Sequence, residues 1–325
     1  MKSTARAHTN IALIKYWGKR NEALILPTNN SLSLTLDGFY TTTTVEFRDD
    51  LQRDIFILDG ETVSGQAYER VVQFLDLIRH YAGKSGTYAR VTSTNNVPTA
   101  AGFASSASGF AALAAAATQA LGLSLTDREL SRITRQGSGS ACRSIYGGFA
   151  EWQKGTKEDG SDSYAVPIAP VDHWDIRMAA VVLSTRKKRV SSRTGMKRTV
   201  DTSVFYPSWI DSVASDLAEM KSGIHARDFE KVGHIAEANC LRMHATTLGA
   251  NPPFIYWQSD TIRVMETVWE MRENGIPIFF TIDAGPNVKV LYLPENESKV
   301  EQTFRQLPNV RDVILSRAGE GITYL

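Results

Sequence analysis

Ser105, Ser106 and Ser108 stand at the head of an alanine-rich run inside residues 97–121, VPTAAGFASSASGFAALAAAATQAL. Hydroxyls at that spacing can cap a helix, bind phosphate oxygens or reach a metal ion. The preceding residues carry almost no side-chain bulk, so backbone N–H groups at the helix start can come close to an anion. That suits phosphate, although no Gly-Lys-Ser/Thr follows and the stretch is not a Walker loop. The same small residues also suit a helix packed tightly on a sheet. Taken alone, the stretch leaves both readings open.

Four further places carry reactive groups. Asp283 ends an apolar run and is followed by Ala-Gly-Pro-Asn287, so its carboxylate is positioned rather than mobile, as a general base or electrostatic group must be. Asp is also a common turn former. Arg143 lies in Gly137-Ser-Gly-Ser-Ala-Cys-Arg-Ser144, where a guanidinium could fork onto a carboxylate or phosphate or simply be solvated. Seven cations fall between Arg186 and Arg198, interleaved with Ser191, Ser192 and Gly195, a loop that can order around an anion. Near the start, Lys15, Tyr16, Trp17, Gly18 and Lys19 gather aromatic and cationic groups at a strand end.

The elements that position these groups follow from periodicity. Residues 11–14 read as a short strand, and residues 31–36 and 41–47 alternate with period two around an Asp37-Gly38 turn signal, which predicts an antiparallel pair. A helix is expected over 67–81, with Val71, Phe74, Leu75 and Ile78 on one face. The serine stretch should run strand, loop, helix, and Thr126-Asp-Arg-Glu129 is a capping box opening a helix that ends near Gly137. Strands are expected near 146–152 and at 178–183. Helices follow at 209–222, 229–246 and 261–274, then strands at 276–282 and 288–293, and a last helix and strand. Fold class is α+β, with two domains divided at residues 184/185.

Bulk properties exclude several classes. Thirty-six basic and 35 acidic residues nearly cancel, which argues against a nucleic-acid coat or a membrane-surface role. No apolar run approaches the roughly 20 residues that span a bilayer, and the first ten residues lack a signal-peptide core, so a soluble, cytoplasmic protein is expected. Cys142 and Cys240 are too few for a disulfide framework, and the six histidines do not pair as ligands. No structural metal is indicated.

Six stretches, in order, resemble the motifs of the diphosphomevalonate decarboxylase family of the GHMP small-molecule kinase superfamily. They are Asn10-Ile-Ala-Leu-Ile-Lys-Tyr-Trp-Gly-Lys19, Pro98-Thr-Ala-Ala-Gly-Phe-Ala-Ser-Ser-Ala-Ser108, Ser138-Gly-Ser-Ala-Cys-Arg-Ser144, Ser191-Ser-Arg-Thr-Gly-Met196, Met243-His-Ala-Thr-Thr247 and Asp283-Ala-Gly-Pro-Asn287. Within them Phe103 stands where relatives often carry leucine. The resemblance implies two domains, each a mostly antiparallel sheet covered by helices, with the active site between them. It implies ATP-dependent decarboxylation of mevalonate 5-diphosphate to isopentenyl diphosphate, through phosphorylation of a tertiary hydroxyl and then elimination, with ATP and Mg2+ required and a homodimer expected.

By the same resemblance Asp283 would be the carboxylate beside the tertiary hydroxyl, and Arg143 would hold the substrate carboxylate. Lys187 would act on the migrating phosphoryl group. Tyr16, Lys19, Ser138, Gly139, Ser140, Ser192, Arg193 and Met196 would line the substrate pocket. Ala101, Gly102, Ala104, Ser105, Ser106 and Ser108 would hold the ATP phosphates, with Ser106 reaching magnesium. A related enzyme acting on mevalonate or its monophosphate would need fewer diphosphate-binding cations, and a non-catalytic ligand-binding relative would lack Asp283 or the loop serines.

Overall fold

Period-two alternation near the N-terminus is realised as long strands rather than short ones. The computed structural model describes residues 1–96, 105–186 and 188–325. Its first part runs β1 (Lys2–Ile14), β2 (Lys19–Asn21), β3 (Leu26–Pro27), β4 (Ser31–Arg48), β5 (Ile55–Leu58), β6 (Glu61–Thr62), α1 (Gln66–Tyr81), β7 (Tyr88–Asn95), α2 (Ser105–Ala120), α3 (Asp127–Gly137), β8 (Phe149–Trp152) and β9 (Ala165–Ala169). The second runs β10 (Arg177–Val182), α4 (Ser192–Thr202), α5 (Tyr206–Ala226), α6 (Phe229–Leu248), α7 (Ser259–Glu273), β11 (Ile278–Ile282), β12 (Val288–Tyr292), α8 (Glu297–Gln306), β13 (Asp312–Arg317) and β14 (Thr323–Tyr324). The fold is α+β, with two main sheets and their helices, as expected, and a separate two-stranded ribbon of β2 and β3.

The first sheet follows the order β14-β1-β4-β7-β5-β6, and β8 and β9 extend from β4. Its pairs are antiparallel except β5 with β7. One expectation fails here: residues 31–36 and 41–47 are not two strands joined at Asp37-Gly38 but one strand, β4, paired along β1. The register slips between His8 and Thr9, so Asp37 and Gly38 form a bulge instead of a turn. A distant segment explains it. Asp37 accepts hydrogen bonds from the backbone and side chain of Arg317, both 3.0 Å, and a Cβ on Gly38 would lie 2.2 Å from the Ser316 Oγ.

Helix α2 lies across this sheet. Ala107, Ala111, Ala112, Ala114, Ala115, Ala116 and Ala117 are all fully buried, packed with Ala5, Ala7 and Val45. Alanine lets the helix sit close to the strands, and a larger side chain there would force shifts costing about 1–3 kcal/mol. The tight-packing reading of the small residues therefore holds for the body of the helix. Only its first turn is left for chemistry. Helix α3 carries the expected capping box, Thr126 and Glu129 bonding each other's backbone N–H.

The second sheet, β11-β12-β10-β13, is antiparallel throughout. Both faces are covered. Phe280, Val181 and Val290 pack under α7 and α8, whereas Phe279, Met178 and Ala180 face α5, α6 and the first sheet. Gly233 lets α6 approach, since a Cβ there would lie 2.0 Å from the Phe279 ring. Strand β10, which precedes residue 185, is hydrogen-bonded into this second sheet. The chain end returns to the first, with β14 on β1. The basic segment is also corrected: it is a loop only as far as Ser191, whose hydroxyl caps α4 by accepting the Thr194 N–H at 3.1 Å.

Candidate active site

Two strand ends from different sheets meet at one carboxylate. Asp283 follows β11, and its Oδ1 accepts from the Lys15 Nζ at 2.7 Å, just beyond β1, while Lys289 of β12 lies 3.3 Å from Oδ2. The two lysine side chains are 3 % and 4 % exposed, but Asp283 keeps 35 % of its surface open, so the carboxylate stays accessible from solvent. Burial by itself would raise the Asp283 carboxyl. The two ammonium groups outweigh it and hold the acid well below the usual carboxylate range.

This geometry is fixed from behind. Lys15 donates its backbone N–H to Asn239 at 2.9 Å and accepts at its carbonyl from Asn29 at 2.8 Å. The last residue of β11, Ile282, gives its N–H to the Cys240 sulfur at 3.0 Å, and its carbonyl lies 3.3 Å from the His244 Nε2. Beyond the carboxylate, Asn287 takes the Leu183 and Ser184 N–H groups at 2.8 and 3.0 Å. Asp283 therefore sits on a turn tied to α6 on one side and to the end of β10 on the other.

Burial pushes the His244 imidazole down to about 3. A buried neutral histidine favours folding only while the unfolded chain is also neutral, so stability falls as pH drops from 6.5 towards 3. We expect His244→Gln to flatten that limb by on the order of 1 kcal/mol per pH unit. Urea unfolding between pH 6.5 and 4 checks it, and an unchanged slope would refute it.

Arg143 lies on a 3₁₀ turn, Gly139–Ile145, that follows α3. It is 2 % exposed, and its Nε donates to Asn10 and Ser33 at 3.1 and 2.9 Å and its Nη1 to Ser31 at 2.5 Å. Neutral acceptors thus orient the guanidinium without neutralising it, which leaves its charge for an anion. Tyr16 stacks obliquely on Trp152 with centroids 4.7 Å apart. Burial pushes its phenol far up, and the nearby Glu22 adds to the effect. Gly139 is fitted between these rings: a Cβ would lie 2.7 Å from Trp152 and 3.1 Å from Tyr16. Gly139→Ala should therefore displace Tyr16, destabilise the fold by about 1–3 kcal/mol and raise KM. Thermal unfolding and steady-state kinetics together check it.

The other expected residues divide. Ser138 caps the end of α3, and the Ser140 carbonyl accepts from Asn10 at 2.9 Å. Ser192 opens α4, and its hydroxyl accepts from the Lys188 Nζ at 3.1 Å. Arg193 lines a cleft of about 550 Å³ with Glu22, Thr194, Lys197 and Arg198. Lys19 is bonded to Glu22, and Met196 is buried in the second turn of α4. Ser106 is exposed and borders a cavity of about 180 Å³ whose apolar walls include Phe56, Leu58, Val71 and Phe110. Arg70 lies 5.0 Å over the Phe110 ring at that cavity. Ser108 instead points inward, 2 % exposed, with Thr9 and Thr41 at 3.2 and 2.8 Å. Ala101, Gly102, Ala104, Lys187 and the side chain of Ser105 lie outside the described residues.

Sequence reasoning noticed Lys15 and Lys188 only as members of cationic stretches, assigned neither to the site, and missed Lys289. Lys15 and Lys289 carried a signal: each is a lysine set against an apolar strand, in Ile-Ala-Leu-Ile-Lys15 and in Val288-Lys-Val290, where an unpaired charge is costly. Lys188 has its Cε 4.0 Å from where a Cβ on Gly285 would stand, so it reaches over the Asp283 turn. Burial lowers its ammonium, and Lys289 lowers it further.

Comparison with known proteins identifies the family. Sequence models of the diphosphomevalonate decarboxylase-like N-terminal domain and of the mevalonate 5-diphosphate decarboxylase C-terminal domain match residues 7–165 and 178–320. A diphosphomevalonate decarboxylase of Ganoderma lucidum is 39 % identical over 337 residues, covering 96 % of this chain and 84 % of its own. The crystal structure of mevalonate diphosphate decarboxylase from Staphylococcus aureus is 50 % identical with a TM-score of 0.94, over 100 % of this chain and 98 % of that one. A structure described as MDDEF in complex with MVAPP, AMPPCP and magnesium gives the same identity and TM-score, over 100 % and 99 %. With both halves matched and the full length superposed, the chain belongs to the diphosphomevalonate decarboxylase family.

Proposed function

We propose that this chain converts mevalonate 5-diphosphate and ATP to isopentenyl diphosphate, ADP, phosphate and carbon dioxide. The observation that carries the reading is Asp283, an ionised carboxylate on a rigid turn, paired with Lys15 and Lys289 and partly open to solvent. Arg143 and Arg193 both lie within electrostatic reach of Tyr16, and Arg143 within that of Asp283, which supports reading them as one site.

The residues support a two-stage reaction. Asp283 accepts a hydrogen bond from the tertiary hydroxyl and orients it. A carboxylate this acidic is a weak base, so it takes the proton late, once the oxygen has begun to bond to phosphorus and has become acidic. Lys188 steadies the charge on the transferring phosphoryl oxygens, because such transfer is catalysed chiefly by positioned cations. Arg143 grips the substrate carboxylate so that the C–C bond lies in line for elimination. The C–O bond then breaks with loss of phosphate, the C–C bond breaks with loss of carbon dioxide, and its electron pair forms the alkene. Asp283 stands beside the carbon on which positive charge develops.

Bound ATP supplies the phosphoryl group, and magnesium offsets charge on its phosphates. The residues fit both: the apolar cavity beside Ser106 has the lining of a base pocket, and the start of α2 presents N–H groups and the Ser106 hydroxyl to anions. Among the described residues no three His, Cys, Asp or Glu side chains form a metal site, so the ion would be held through phosphates and hydroxyl. We place the domain boundary between β9 and β10, since β10 is bonded into the second sheet. A cytoplasmic homodimer is retained from the family. No helix among the described residues is long and apolar enough to cross a membrane.

The test is a substrate panel. With ATP and magnesium, mevalonate diphosphate should release ADP with a kcat/KM at least about a hundredfold above that for mevalonate or its monophosphate, the discrimination that lost charged hydrogen bonds confer. Equal use of the monophosphate would overturn the diphosphate reading.

A further inference from the structure

The diphosphate end of the site holds a carboxylate that the reaction does not use. Glu22 accepts from the Lys19 Nζ at 2.5 Å, with the Lys19 side chain 5 % exposed and that of Glu22 56 %. It also lines the cleft of about 550 Å³ that α4 walls with Arg193, Thr194, Lys197, Arg198, Asp201 and Thr202. One flexible, half-open carboxylate therefore stands among the groups assigned to the diphosphate. Lys197 has its own partner, Asp201, at 2.9 Å, whereas Arg193 makes no ion pair among the described residues.

Physical reasoning gives this contact a use. An ammonium as enclosed as that of Lys19 is costly without a counter-charge; of the two carboxylates that line the cleft, Asp201 is held by Lys197 and Glu22 is the one bonded to Lys19. The partner is on the outer side, with rotamers free to turn into solvent, so it can be displaced without moving the backbone. A diphosphate carries more charge than one carboxylate and offers oxygens to more than one cation at once. Glu22 cannot reproduce that.

We propose that Glu22 is a displaceable stand-in for the substrate's diphosphate, holding Lys19 in the free enzyme and yielding it only to a ligand of higher charge. The proposal rests on the reading of Lys19 and Arg193 as diphosphate-binding groups. Glu22 thereby weakens binding of every anion that uses Lys19 and keeps weaker anions from occupying the site.

Calorimetric titration of the full chain with inorganic pyrophosphate tests it, using wild type, Glu22→Gln, Lys19→Met and the double variant. Glu22→Gln should bind pyrophosphate roughly twofold to fivefold tighter, the upper range of a partly exposed ion pair. Lys19→Met should bind it more weakly, and in that background Glu22→Gln should add nothing. Equal or weaker binding by Glu22→Gln would overturn the proposal. So would a gain that survives undiminished in the Lys19→Met background, since Glu22 would then act as a general repulsive charge. If Lys19→Met leaves pyrophosphate binding unchanged, the diphosphate reading itself fails. The packing of Lys19 is kept by methionine, and circular dichroism of each variant confirms the fold.

Discussion

Asp283→Asn should fold, bind nucleotide and substrate, and turn over about a thousandfold more slowly, the upper range for removing one positioned electrostatic group. The amide keeps the shape and one acceptor for Lys15 at the 2.7 Å position, but loses the charge. It can neither take the late proton nor stabilise a cationic carbon. Two ammonium groups then face each other without their counter-ion, so stability should fall by about 1–3 kcal/mol, less than for a sealed pair because Asp283 is partly open to solvent. Unfolding curves, nucleotide-analogue binding and kcat measured on one preparation separate these effects. More than a tenth of wild-type turnover would sink the assigned role.

The second large effect concerns the cation over the Asp283 turn. Lys188→Met should lower kcat about a hundredfold while KM moves by only a few fold, as expected for a charge used mainly in the transition state. The ammonium sits 3.1 Å from the Ser192 hydroxyl, and burial lowers it from the ordinary lysine value. A lysine with a depressed value loses its proton earlier as pH rises. The wild-type kcat should therefore fall on the alkaline side below pH 10.5, and Lys188→Arg should carry that limb upward. Lys187→Met is the control: if it, and not Lys188→Met, loses the hundredfold, the role belongs to Lys187.

Local signals made the helices legible, except α4, whose basic sequence read as a loop. The apolar stripe of α1 and the reciprocal cap of Thr126 and Glu129 act within a few residues, so sequence spacing reveals them. What escaped was set by partners far along the chain. Asp37-Gly38 carries the signature of a turn, yet Arg317, 280 residues away, takes the carboxylate and leaves a bulge in one strand. Lys15 and Asp283 are 268 residues apart, so their pairing, and with it the ionised state of the carboxylate, is written in no local pattern. Ser108 illustrates the reverse error. A helical repeat turns it from the exposed face of Ser106 to the sheet, where Thr9 and Thr41 use its hydroxyl.

The most direct measurement is a single turnover with enzyme in excess over mevalonate diphosphate, in ATP and magnesium, with ADP and carbon dioxide quantified from the same quenched samples. One site performing phosphoryl transfer and then elimination predicts equal final yields of the two, with carbon dioxide never ahead of ADP. ADP without carbon dioxide would make the chain a kinase on this scaffold, and carbon dioxide preceding ADP would contradict phosphorylation as the step that opens the elimination.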